Sequence, residues 1–215
     1  MTAMITGHKT KAGIISYDHR VVRSDHTSLE DFGGPSERVE TLFEWAEDRG
    51  LATGIATTAR VTHATPACCY AHVPNRDWEN NDHISNYLKS RDEGERLALE
   101  AGLKDVAAQL VGFSHGDGIE VVMGGGRANF FPKKSTDPVT GKEFGNRLGN
   151  SHLVNEWLTS TSGTYVYDRA GFEQIDPSKT ERLLGLFDND HMDWEADRLL
   201  EAPSKRQPSL SEMAV

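Results

Sequence analysis

The stretch of this chain richest in reactive side chains is THATPACCYAHVPNR, Thr62 to Arg76. It gathers two histidines, two adjacent cysteines, a threonine-proline pair and an arginine. Arg76 is the sharpest candidate. A guanidinium at a loop-helix junction presents a planar fork that matches two oxygens of a phosphate. The local alternative is a surface ion pair with Asp77 or Glu79. His63 and Thr65 stand two apart in what reads as an extended loop, so their side chains point the same way. His72 and Arg76 stand four apart and would share a face if this segment were helical. None of these can hold Zn²⁺ or Mg²⁺ unaided, because Mg²⁺ needs several oxygens and usually carboxylates. A metal here must draw its remaining ligands from distant sequence. Cys68 and Cys69 lack ligand spacing, and a disulfide between neighbours is strained. They read as free, partly buried small hydrophobes. Asp77, Glu79 and Asp82 read as solvated carboxylates.

A second candidate is MGGGR, Met123 to Arg127, after an apolar run. Glycines after a strand can cradle a phosphate with backbone N–H groups. This run has neither dinucleotide-fingerprint nor P-loop spacing. The favoured reading is a sharp turn with close packing, with Arg127 structural; a nucleotide-binding enzyme built on it is disfavoured. No H-E-x-x-H and no C-x-x-C occurs.

The elements that must position these residues alternate. SERVETLFEWAEDRG places Val39, Leu42, Phe43 and Ala46 at helical spacing, with Ser36 as cap and Gly50 as stop. LATGIATTA reads as a buried strand. EGERLALEAGLKDVAAQLVGF, with Leu99, Leu103, Val106 and Leu110 on one face, reads as a helix, and IEVVMGGG as a second buried strand. SHLVNEWLTS follows as a helix, TYVYD as a strand, DPSKTERLL as a helix opened by Pro177, and LGLF as a last strand. Such alternation implies an α/β fold, three-layer α/β/α with a mostly parallel central sheet. In such sheets ligands sit at the carboxyl ends of strands, where both candidate loops begin.

Bulk properties narrow the partners. The 215 residues suffice for one domain spanning 1–215. A formal net charge of -10 argues against nucleic acid or an anionic membrane as the main partner. No apolar run reaches the ~20 residues of a membrane span, and the N-terminal residues do not read as a signal peptide.

Three ordered blocks carry a resemblance. TGIATTARVTHATPACCYAHVPNRDW, EVVMGGGRANFFP and LLGLFDNDHMDWE resemble successive regions of the alkaline phosphatases, and MTAMITGHKTKAGIIS resembles the segment following that family's nucleophile. The likeness is weakest over 133–146. It implies phosphomonoester hydrolysis through a phosphoserine intermediate, with two Zn²⁺ ions and one Mg²⁺, on phosphate monoesters and releasing inorganic phosphate. By position it places the phosphate clamp on Arg76 and a magnesium-binding hydroxyl on Thr65. His63 falls where the family has aspartate or histidine, touching magnesium through water. It further implies a homodimer in the periplasm or outside the cell. Some members hold a structural calcium near a Phe-Glu pair. Here the pair reads Phe187-Asp188 and the downstream acidic position is Gln207, so calcium is not expected. The family's Asp-Ser-Ala-Gly, Asp-His-Gly-His and Asp-His-Ser-His runs do not occur. The chain therefore reads as an internal, fragmentary part of that domain, inactive alone; the alternative is a non-catalytic anion-binding or interaction module.

Overall fold

In a computed structural model, the described residues are 1–89, 91 and 102–214. They form two compact units, residues 1–51 with 62–118, and residues 52–61 with 119–215.

The first unit is helical. Helix α1 spans Thr2–Thr6 and ends at Gly7, whose φ of 72° lies in the left-handed region. Helix α2 spans Leu42–Glu47, shorter than the periodicity suggests. Its cap is Thr41, not Ser36. Thr41 accepts from the Glu44 N–H while Glu44 reaches back to the Thr41 N–H, a reciprocal capping box. Ser36 is buried and instead bonds Asp18. The apolar stripe is only partly buried: Val39 is buried and Phe43 and Ala46 are half-buried, but Leu42 is 53% exposed, while Glu44 and Glu47 are buried. Glu44 is drawn inward by partners, His72 and Thr41, which overrides the hydrophobic spacing. Gly50, at φ 68°, turns the chain out. Helices α3, Ala64–Ala67, and α4, Asn81–Leu88, follow. Helix α5 spans only Val106–Val111, because Asp105 accepts from the Ala108 N–H and starts it afresh. Leu103 therefore lies before the helix, and Leu99 lies outside the described residues. Two apolar clusters hold this unit: Ile14, Tyr17, Val21 and Leu29, and Trp78, Ile84 and Leu88.

The second unit contains a four-stranded, wholly parallel sheet. Its strands are β1, Gly54–Arg60, and β2, Val121–Gly125; then β5, Thr164–Val166, and β6, Leu183–Leu186, in the order β1-β2-β6-β5. Strand β6 is buried throughout, as its Leu-Leu-Gly-Leu sequence requires. Strand β1 is not the buried strand expected. It lies at an edge of this sheet, and of its residues only Ile55 is buried. The polar 133–146 segment forms a small antiparallel pair, β3 (Ser135–Thr136) with β4 (Glu143–Phe144). Helix α6, Leu153–Thr161, buries Leu153, Val154 and Trp157. Helix α7 spans Arg169–Glu173. The helix expected at DPSKTERLL is instead a turn, in which the Asp176 carboxylate takes both the N–H and the hydroxyl of Ser178. Asp and Ser satisfying their own backbone in this way compete with helix formation. Helix α8 spans Glu195–Arg198, and α9, Leu210–Met213, carries a second capping box, Ser209 with Glu212. Met213 joins Met123, Val166, Leu183, Phe187 and Met192 in the core.

Candidate phosphate-binding site

The Thr62–Arg76 segment lies wholly within the first unit. Its opening is anchored by the Thr62 hydroxyl, which donates to the Glu79 carboxylate at 2.6 Å. Both residues are buried, so Glu79 is no solvated acid. His63 has extended backbone, φ -64° and ψ 148°, and stands at the start of α3. The chain does not remain extended to Thr65, which lies inside α3. The loop reading of this pair is corrected accordingly.

Arg76 is fixed by its backbone and offered by its side chain. Its N–H donates to the Gly13 carbonyl at 2.8 Å. One guanidinium nitrogen, Nη2, meets His63 Nε2 at 2.8 Å. A guanidinium can only donate, so the ring accepts through Nε2. The ion pair with Asp77 is loose, 3.9 Å between Nε and Oδ1, with the Arg76 side chain 39% exposed. Asp77 is better engaged by Arg23, at 2.8 Å. The bland reading of Arg76 as the partner of its acidic neighbour is therefore weakly supported by geometry.

Thr65 and Arg76 line one cleft of about 390 Å³, together with Ala64, Cys68, Thr2 and the Lys9–Ile14 strip. The Lys9–Ile14 wall lies more than fifty residues before Thr65 and is not foreseeable from local spacing; the Gly13 carbonyl under the Arg76 N–H and the paired N–H and carbonyl groups of Ile15 and Val73 hold it there. His72 points elsewhere. It is buried, with Nδ1 2.8 Å from the Ser16 carbonyl and Nε2 2.8 Å from Glu44. Residues 68–76 are not helical, so the expected shared face of His72 and Arg76 does not form. Burial pushes the Glu44 carboxyl up, but the His72 hydrogen bond and charge, with the Thr41 N–H, hold it below the ordinary carboxylate range.

Cys68 and Cys69 are free and buried. Burial raises both thiols, Cys69 to about 12, so neither is a nucleophile at neutral pH. The glycine run serves packing, as expected. A Cβ on Gly124 would lie 2.8 Å from Thr57 and Val61, and one on Gly125 only 2.1 Å from the Asp190 carbonyl. Arg127 is buried, donating to the Leu186 carbonyl at 2.8 Å and pairing with Asp137 at 3.1 Å. It is committed to structure.

As to metals, the Thr65 hydroxyl is a hard oxygen suited to Mg²⁺. His63 Nε2 is engaged with Arg76, which suits a part played through water better than direct ligation. One neutral oxygen cannot hold the ion alone, so the other ligands must be supplied by other residues.

The family model described as alkaline phosphatase matches residues 1–215. The alkaline phosphatase of Gadus morhua is 36% identical over 218 residues, covering 99% of this chain and 41% of that protein. The tissue-nonspecific isozyme of Gallus gallus is 37% identical, covering 99% of this chain and 38% of the relative. The chain thus spans about two fifths of the length of these relatives. Among solved structures, the Thermus thermophilus alkaline phosphatase matches 99% of this chain and 32% of its own, with TM-score 0.61 and 24% identity, a likeness of fold. With the parallel sheet, the ordered sequence blocks and a family match from first residue to last, the chain belongs to the alkaline phosphatase family.

Proposed function

We propose that this chain supplies the phosphate-clamping wall of a phosphomonoesterase, and that the complete protein hydrolyses phosphate monoesters. The single observation carrying this reading is the cleft shared by Arg76 and Thr65, which puts a donor fork beside an oxygen suited to a hard dication. Arg76 would hold two non-bridging oxygens of the phosphoryl group, keeping phosphorus in line for attack. His63 would steady the guanidinium through Nε2 and contact magnesium through water. Thr65 would give one oxygen ligand. Two Zn²⁺ and one Mg²⁺, expected from the family, would supply charge neutralisation at the reacting oxygens. Transfer to a serine and then to water is the family route. The serine and most ligands are not found in the 215 residues, so residues 1–215 alone are read as inactive. Dimerisation and export beyond the cytoplasm belong to the same reading. Among the described residues, no helix is long and apolar enough to cross a membrane.

The test is hydrolysis of p-nitrophenyl phosphate and p-nitrophenyl acetate by the full-length protein with zinc and magnesium. The phosphate ester is expected to turn over and the acetate not. Phosphate binding without turnover by the full-length protein would favour the anion-binding module instead.

A further inference from the structure

We infer that a clasp made of Gln207, Arg169 and Arg198 takes the place of a structural cation in the second unit, so that this protein's fold is held there without calcium. Phe187 and Asp188 are the residues that the family resemblance nominates for calcium. In this structure the side chain of Gln207 is against them. Its Nε2 donates to Asp188 Oδ2 at 2.6 Å and lies 3.5 Å from the Phe187 carbonyl. Its Oε1 accepts from the Asp193 N–H at 2.9 Å. That backbone N–H can only donate, which fixes the amide: the oxygen faces Asp193 and the NH₂ faces Asp188. The hydrogens of the amide thus occupy the space that a cation bound to Asp188 and Phe187 would need. The other Asp188 oxygen, Oδ1, accepts from the Asp190 N–H at 2.9 Å. Both carboxylate oxygens are committed.

The positive charge is supplied from two other directions. The Gln207 carbonyl accepts from Arg198 Nη1 at 3.1 Å and from Arg169 Nη2 at 3.2 Å. Arg169 Nε also donates to the Arg206 carbonyl at 2.8 Å. Each guanidinium has a carboxylate of its own, Glu195 for Arg198 and Glu212 for Arg169. Residues 206–207 are thus tied to the turn after β6 and to α7 and α8 by neutral and cationic donors only. A dication brought to Asp188 would meet the amide NH₂ of Gln207, whose main chain is held by two guanidinium groups. The turn is rich in carboxylates, and Asp193 is held above its ordinary range by burial and by Asp188, Glu201 and Asp197. An acidic turn of this kind could recruit a cation, and Gln207 answers it with an amide.

The experiment is thermal unfolding of the full-length protein at fixed zinc and magnesium, titrated with calcium alone. The wild-type Tm should not move with calcium. Gln207→Leu should lower Tm by about 5 °C, and calcium should not restore it. Gln207→Glu, which sets a second carboxylate against Asp188, should lower Tm in calcium-free buffer and recover as calcium is added. A wild-type Tm that rises with calcium, with the rise abolished by Asp188→Asn, would overturn the inference, and that pair of measurements decides the matter even if Gln207→Glu fails to fold. An unchanged Tm for Gln207→Leu would equally overturn it, because the clasp would then hold nothing.

Discussion

Arg76 illustrates how a side chain is made available rather than merely present. Its backbone is pinned by Gly13, one nitrogen is steadied by His63, and its acidic neighbour is diverted to Arg23. Lysine cannot replace it, because a point charge lacks the fork. Arg76→Lys in the full-length protein should therefore lower kcat/KM for p-nitrophenyl phosphate by at least about tenfold, with metal content unchanged; wild-type kcat/KM in the lysine variant would contradict the fork. The cysteines give an independent check. Both thiols are buried and raised, so a thiol reagent at pH 8 should label neither in the native protein and both after denaturation. Rapid native labelling would show that the Thr62–Arg76 segment is not packed as described. Arg76, Thr65 and His63 are nominated by the family resemblance, and the structure shows how each is held. That His72 turns inward to Glu44 and Ser16 is not legible in the sequence, because both partners are remote.

Helices and strands show why part of the fold was legible. Strands β2, β5 and β6 and helix α6 are short apolar or amphipathic runs in which propensity and burial agree. Most of the departures share one cause, polar side chains finding specific partners. Glu44 is drawn into the buried face of α2, Asp105 caps a helix that begins later than periodicity suggests, and Asp176 closes a turn in place of a helix. Two predictions follow from element ends and packing. Thr41 is buried, caps α2 and also donates to the Cys69 carbonyl at 2.9 Å, so Thr41→Val should cost about 2 kcal/mol, measured by chemical denaturation. Near-neutral behaviour would mean that the capping box is dispensable. The pairing of Arg169 with Glu212 sets an acid limb. The guanidinium, with the Ser209 N–H and hydroxyl, lowers Glu212 from 4.5 to about 2. A depressed carboxyl contributes stability above its ordinary value that is lost as pH falls through the lowered one. Glu212→Gln should thus flatten the fall in stability between about pH 4.5 and 2, and an unaltered limb would contradict the pairing.

Across the chain, the two units place their apolar surface unevenly. The first exposes Met4 at 76% and also Leu42 and Trp45, and the second exposes Trp194 at 82% and Leu200 at 84%. Strand β1 lies at an edge of its sheet. Exposed apolar groups and open strand edges favour association. Residues 1–215 expressed alone should therefore scatter light and bind a hydrophobic dye, whereas a monodisperse sample with a sharp reversible melt would contradict this. The α/β class and the parallel sheet were legible because strand and helix patterns alternate. The division into two units was not, because β1 interrupts the first unit's sequence while belonging to the second. The family resemblance nominates Arg76 as the clamp, and the cleft it shares with Thr65 is the setting of that proposal. The most direct measurement is the inhibition constant of inorganic phosphate on the full-length protein, wild type against Arg76→Ala, at fixed zinc and magnesium. A clamp predicts that phosphate binding weakens by about a hundredfold, the loss of one bidentate charged contact; an inhibition constant unchanged by the substitution would show that Arg76 does not hold the phosphoryl group.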